Sequence, residues 1–284
     1  MHGLEIMARS MSATAIPDKF GNNWQYHSQS DRHSKIACWA LMFDLLNHCP
    51  LLRRHVQDSK IGFGINHGMR DFQTTRTKVL DLVIGTPRKA GAVAYPTRTF
   101  NDLAESCGII LSPDEQGLLA SLPGVPVVPV GNVSVALEAK ATMTAHVKAL
   151  PRLHDELDSS HQTIHGDTDA AIAAALITIN ASSHFLSTSN NKHLVTPESM
   201  VWNKEPQPKA AERTVAKMRE IRRRSAPGTQ GFDAMGIVLI DFKNDGSPCH
   251  ISTEPPAPTT SDGDHYANMI GRISTLYASR FAGF

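Results

Sequence analysis

The chain has 284 residues, 41% hydrophobic and 19% charged, with a formal net charge of +1. This composition excludes a disordered, collagen-like or coiled-coil chain, and length alone allows one large domain or two small ones. So little net charge creates no global field, so a polyanion has to be held by a local patch or with the help of metal ions. Residues 1–33 are polar and irregular and read as an N-terminal arm. From Ser34 to about Leu46, Ile36, Trp39, Ala40, Phe43 and Leu46 recur at helical spacing, with Ser34 as N-cap and Pro50 as the breaker. Two strands follow, Ile61–Ile65 and Lys78–Ile84, the second closed by Gly85-Thr86-Pro87. A helical insert covers Phe100–Cys107 and a second helix after Ser112, where Ser112, Pro113 and Glu115 supply N-cap, N1 proline and capping-box glutamate. Val133–Lys140 is a strand, 142–164 a helix kinked at Pro151, and Ala170–Asn180 an apolar run read as a buried strand, with a helix as the alternative that its alanines leave open. After a charged stretch, 203–231, Gly236–Phe242 and Cys249–Ser252 form a hairpin. Beyond Pro255, Pro256 and Pro258 a last helix carries Tyr266, Ile270, Ile273 and Tyr277 on one stripe. Alternating helices and strands predict an α/β fold, a sheet covered on both faces.

Four cysteines, Cys38, Cys49, Cys107 and Cys249, show no CxxC spacing. That argues against a zinc cage or a disulfide framework and for reduced thiols. The N-terminal sequence lacks a basic-then-apolar leader, and the most apolar helix-length run, 170–181, is far short of a membrane span. A cytoplasmic protein with no membrane partner is expected.

Two strands carry acids where apolar residues are expected. In Lys78-Val79-Leu80-Asp81-Leu82-Val83-Ile84, alternation puts Leu80, Leu82 and Ile84 on one face and Asp81 with Val79 and Val83 on the other. In Val133–Lys140, Val133, Val135 and Leu137 face one way, while Glu138 and Lys140 leave the other face side by side. A carboxylate inside such a strand costs several kcal/mol of desolvation unless something pairs with it. Two carboxylates, waters and the Ala139 carbonyl make a plausible oxygen set for Mg²⁺ or Mn²⁺. The metal could neutralise charge building on a phosphodiester, and a neighbouring lysine could orient or deprotonate a water.

Asp81, a long gap, then Glu138-Ala139-Lys140 on a strand followed by a helix resembles the PD-(D/E)xK nuclease superfamily. The resemblance covers about 34–182, with Leu80 where the family often has proline and a long gap filled by the helical insert. It implies a restriction-endonuclease-like central mixed sheet flanked by helices and a single nuclease domain over 34–284, with a C-terminal elaboration at 203–284. It also implies Mg²⁺-dependent cleavage of DNA, Asp81, Glu138 and Ala139 as metal ligands, and Lys140 positioning the water. The expectation is a restriction or defence endonuclease. The alternatives are a repair-type nuclease or a non-catalytic DNA- or protein-binding module on the same fold.

Rival acid-x-Lys tripeptides occur at Asp58-Ser59-Lys60, on a loop edge, and at Asp241-Phe242-Lys243, where a strand runs into a turn instead of a helix. Asp44 in the first helix and Gln162 after the ExK strand are candidate accessory groups, against the simpler reading of surface residues. His161 and His165, four apart and near Asp167, have zinc spacing, but with 14 histidines in the chain such a pair arises by chance. Arg70, Arg76 and Lys78 lead into the Asp81 strand and are candidates for DNA-backbone contacts, as is the cluster Arg222, Arg223 and Arg224. Trp24, Trp39 and Trp202 are too dispersed to make a stacking platform. A double-strand cut is most simply made by a homodimer. The C-terminal stripe is its candidate surface, core packing being the equal alternative.

Overall fold

The computed structural model describes residues 1–72, 74–88 and 98–284. In chain order its elements are α1 (Gly3–Met11), β1 (Ile16–Pro17), β2 (Asn23–Trp24), α2 (Arg32–His48), α3 (Pro50–Gln57), β3 (Gly62–Arg70), β4 (Thr77–Pro87), α4 (Phe100–Ser106) and α5 (Pro113–Ser121). There follow β5 (Val130–Thr142), α6 (His146–Asp167), β6 (Ile172–Asn180), β7 (His184–Leu186), β8 (Trp202–Lys204), α7 (Lys209–Arg219), β9 (Ala234–Asp241), β10 (His250–Ser252) and α8 (Tyr266–Arg280). Among the described residues one six-stranded mixed sheet, in the order β10-β9-β6-β5-β4-β3, organises the fold. β3, β4 and β5 form an antiparallel meander, β5, β6 and β9 run parallel, and β10 returns antiparallel. Helices α1, α2 and α8 pack one face, and α6 and α7 the other. No helix of the described residues is long and apolar enough to cross a membrane.

The local signals explain most of these elements. The α5 start is a complete capping box, with Ser112 Oγ accepting from Glu115 N and the Glu115 carboxylate accepting from Ser112 N at 2.7 Å. All nine residues of β6 are buried, as a central parallel strand requires. Pro151 sits inside α6, which continues through it.

Three expectations fail and one is extended. The N-terminal segment is not an arm: α1 buries Ile6, Met7 and Met11 against α2, and Asp44 binds its first turn. The α2 N-cap is Asp31 instead of Ser34. α2 ends at His48, before Pro50 as expected, and Pro50 also opens α3 from the N1 position, where its missing N–H costs nothing. The C-terminal segment is no elaboration, since it contributes β9 and β10 to the main sheet.

Strand faces also differ from simple alternation. Between Ile84 and Gly85 the register to β5 shifts, because Ile84 faces Val135 but Gly85 faces Val133. Ser134 is the extra residue of this bulge, so Val133 joins the α6-side core while Val135 and Leu137 face α2. A side chain on Gly85 would collide with the Asn132 carbonyl, which accounts for the glycine. Likewise Leu82 and Ile84 pack on the α2 side, whereas Leu80 packs with Val83 on the α6 side. The faces exchange at Asp81, opposite Asn66 with its φ of +50°. There β4 parts from β5 and only the β3–β4 ribbon continues; two-stranded ribbons twist most strongly.

Candidate active site

The parting of β4 and β5 makes the site. Their ladder runs Ile84↔Val135, Val83↔Ala136 and Leu82↔Leu137 and goes no further toward Asp81. The Ala139 N–H, left without a β4 carbonyl, donates instead to Asp81 Oδ2 at 2.8 Å. Strand geometry sends the Ala139 carbonyl out on the same side, toward the gap. One residue earlier, Glu138 is 1% exposed. Its Oε1 lies 2.9 Å from Lys140 Nζ and 3.8 Å from Lys78 Nζ. Its Oε2 is buried with no hydrogen-bond partner among the described residues. From α6, Glu156 reaches Lys140 at 3.2 Å and holds Arg152 at 2.6 Å. Lys78 donates to the Glu156 carbonyl and, at 3.0 Å, to Ser159 Oγ.

Burial dominates the electrostatics here. It pushes the Asp81 and Glu138 carboxyls up; the Ala139 N–H and Lys140 oppose it at Asp81, and Lys140 opposes it at Glu138. Repulsion from the Asp81 carboxylate adds to the rise at Glu138. Burial works against the Lys140 ammonium, but Glu138, Glu156 and Asp81 outweigh it and hold its pKa above the usual lysine value. At Lys78 burial wins, and its pKa is lowered despite Glu138.

Asp81, Ala139, Lys140 and Glu156 open into a cleft of about 640 Å³ between the first turns of α2 and α6, with Tyr26, His33 and Ser34 across from them. Burial, with Lys140 adding to it, takes His33 down to about 4, so the ring is neutral at pH 7. Its Nδ1 is buried and unpartnered among the described residues, and its ring lies 5.1 Å from that of Tyr26.

Asp81, Glu138 and Lys140 therefore come together, and Lys78 joins them as part of the ion cluster. Other candidates do not. Asp44 lies about 15 Å further along α2 than Ser34, buried, accepting from the His2 and Gly3 amides at 2.8 Å. Gln162 donates to Asp158 at 2.6 Å. His161 bonds the same Asp158, while His165 bonds the Gly231 carbonyl and Arg224, so the pair shares no ligand geometry. Arg224 is 2% exposed and ion-paired to Asp169 at 2.6 Å, which removes it from any DNA surface; Arg222 and Arg223 are exposed. Arg70 and Arg76 are exposed on the β3–β4 ribbon. Of the rival tripeptides, Asp58 caps the end of α3, and Asp241 lies exposed at the β9–β10 hairpin, opposite His250.

Glu156 went unseen in the sequence because α6 had to be placed before any of its charges could be aimed at β5. Its one local signal is Arg152, four residues earlier on the same helix face.

Among the described residues no group of three His, Cys, Asp or Glu side chains is placed to hold a metal ion. Mg²⁺ needs fewer: one or two carboxylates with waters and a carbonyl suffice. Asp81, Glu138 with its orphaned Oε2, and the Ala139 carbonyl fit that donor set. The chain matches no protein-family model, no curated protein and no solved structure.

Proposed function

We propose that the chain is a Mg²⁺-dependent DNA endonuclease of restriction or defence type, built on a PD-(D/E)xK nuclease core. The observation that carries this reading is the place where β4 and β5 part: the half-buried Asp81 and Lys140 line a cleft, and behind them the buried Glu138, paired with Lys140, has one carboxylate oxygen without a partner among the described residues. A helix before the Asp81 strand and another after the Glu138 strand agree with it. Asp81, Glu138 and Ala139 would hold the cation, which when bound neutralises phosphoryl charge and acidifies water. Lys140 is held protonated by its acidic neighbours, so it serves as a hydrogen-bond donor that orients the attacking water and is no base.

The test is plasmid DNA with Mg²⁺ or Mn²⁺, with and without chelator, against Asp81→Asn and Glu138→Gln. Both substitutions keep side-chain shape, so folding is retained while cleavage falls by at least 10³-fold, in line with the loss of a principal electrostatic group. Discrete bands mark a sequence-specific endonuclease and a smear a repair-type nuclease. Equal cleavage by wild type and Glu138→Gln overturns the reading. One observation favours a binding module instead: Lys140 is already engaged by both Glu138 and Glu156. Intact plasmid with a shifted gel band is the result that selects it.

A further inference from the structure

On the Asp81 side of Leu82, where β5 has parted from it, β4 continues with β3 alone as a two-stranded ribbon. One face of this ribbon is fixed. Met69 and Leu80 are buried on the α6 side, and Lys78 donates to Ser159 Oγ of α6 at 3.0 Å. At the tip Phe72 N donates to the Gly166 carbonyl at 3.3 Å. Asp71 fits against Gly166 so closely that a side chain there would strike its carboxylate.

The opposite face is bare among the described residues. It pairs Gly68 with Val79 and Arg70 with Thr77, all four exposed, Val79 by 59%. Nothing in the described chain asks for that glycine. It lies in regular strand outside the left-handed region, and a Cβ built on it meets no atom within 4 Å. Glycine weakens a strand, and one without an internal cause marks a place where an outside body approaches closely.

The charges indicate what that body is. Arg70 and Arg76 are exposed, and neither is ion-paired among the described residues. The Arg70 guanidinium lies 6.0 Å from the centroid of the Phe72 ring, a contact that steadies it and leaves its N–H edge open. The nearby acids are turned away. Asp71 is buried and accepts from Thr74 N, and Asp31 holds Lys35 and Asn66. Val79 is two residues from Asp81, about 7 Å along the strand, so a body on this face also reaches the acidic cleft.

We propose that this face of the ribbon docks in the major groove of duplex DNA, with Arg70 reading a base edge, Val79 against a thymine methyl and Arg76 on a flanking phosphate. The groove, about 12 Å wide, admits a two-stranded ribbon, and arginine donating to guanine O6 and N7 is its commonest specific contact. The missing side chain at Gly68 lets the backbone come down onto the bases. This deepens the nuclease reading by naming what selects the substrate, and rests on it only for what happens at Asp81.

The experiment selects binders from a randomised duplex library with the full chain in chelator, then treats the bound duplex with dimethyl sulfate. Wild type is expected to select a motif containing guanine and to shield its N7, a major-groove atom. Arg70→Ala loses the preference at one guanine by about tenfold. Arg76→Ala weakens all duplexes alike and flattens the slope of log affinity against log salt by about 0.9. Gly68→Leu, whose side chain meets open space, melts no lower than wild type yet binds duplex about tenfold more weakly. Unshielded guanines, unchanged selection by Arg70→Ala, or a folded Gly68→Leu variant that binds as wild type does overturns the ribbon even if plasmid is cut. A wild-type dimer that Gly68→Leu splits in light scattering makes the face a contact between copies and overturns it as well. Shielding that Gly68→Leu abolishes, with no substrate cut by wild type, upholds the ribbon and removes the nuclease reading.

Discussion

Asp81 acts as a strand substitute: its carboxylate takes the Ala139 N–H where β4 has turned away. The same burial that makes this bond worthwhile makes the charge costly, and the carboxyl's pKa lies above its ordinary value of 3.8. An acid whose folded pKa is raised contributes stability that is complete below its unfolded pKa and is lost as pH climbs through the folded one. Asp81→Asn keeps an oxygen for the Ala139 amide and removes the charge. We therefore expect the variant to melt above wild type at pH 8, the difference closing as pH falls toward 4. Coincident melting curves at pH 8 would show that the charge costs the fold nothing. At this scale much of the site was legible: an acid in a strand needs a partner, and Glu138 and Lys140 two apart share a face. Glu156 and His33 were not, because their side chains enter the cleft from helices whose rotation is decided by packing.

At the scale of elements, legibility followed how local the cause is. The α5 capping box and the β9–β10 hairpin lie within a few residues and were readable. The face exchange at Asp81 depends on which neighbour β4 keeps and which it loses, so period-2 reading failed there. The first helix was lost to a polar-looking stretch, although Ile6, Met7 and Met11 sit on its buried side. The stripe on α8 was rightly read as apolar, but its use was open, and the structure decides it. Ile270 and Ile273 are fully buried in the same core as α1 and α2, so the stripe is no dimer surface. Ile270→Asp should consequently unfold the chain rather than split an oligomer, an unpaired buried charge being among the largest single-site penalties. Circular dichroism and light scattering separate these outcomes; a folded Ile270→Asp variant of altered mass would return the stripe to the surface. On α5, Ser112→Ala should cost about 1 kcal/mol in denaturant unfolding, the usual worth of an N-cap.

Over the whole molecule, distant parts of the chain share their supports. Asp233, at the start of β9, accepts from Ala173 N and from Arg280 at the end of α8, with Arg224 nearby at 3.9 Å. This buried network ties the last third of the chain to β6. Breaking it from one side leaves carboxylates uncompensated, and Arg224→Ala should cost about 3–5 kcal/mol, read from urea midpoints at pH 7. A loss within error would mean that solvent reaches the network after all.

The position of β6 between β5 and β9 has a cost for any shortened chain. A fragment ending at residue 204 keeps every acid and lysine of the cleft yet strips the neighbour from β6, whose nine residues are all buried in the intact fold. What remains is a long, uncharged, open strand edge, the template on which chains add to one another. Such a fragment should precipitate or form fibrils that bind thioflavin T, while the full chain stays dispersed. The last eighty residues are therefore, in effect, this protein's own protection against self-association.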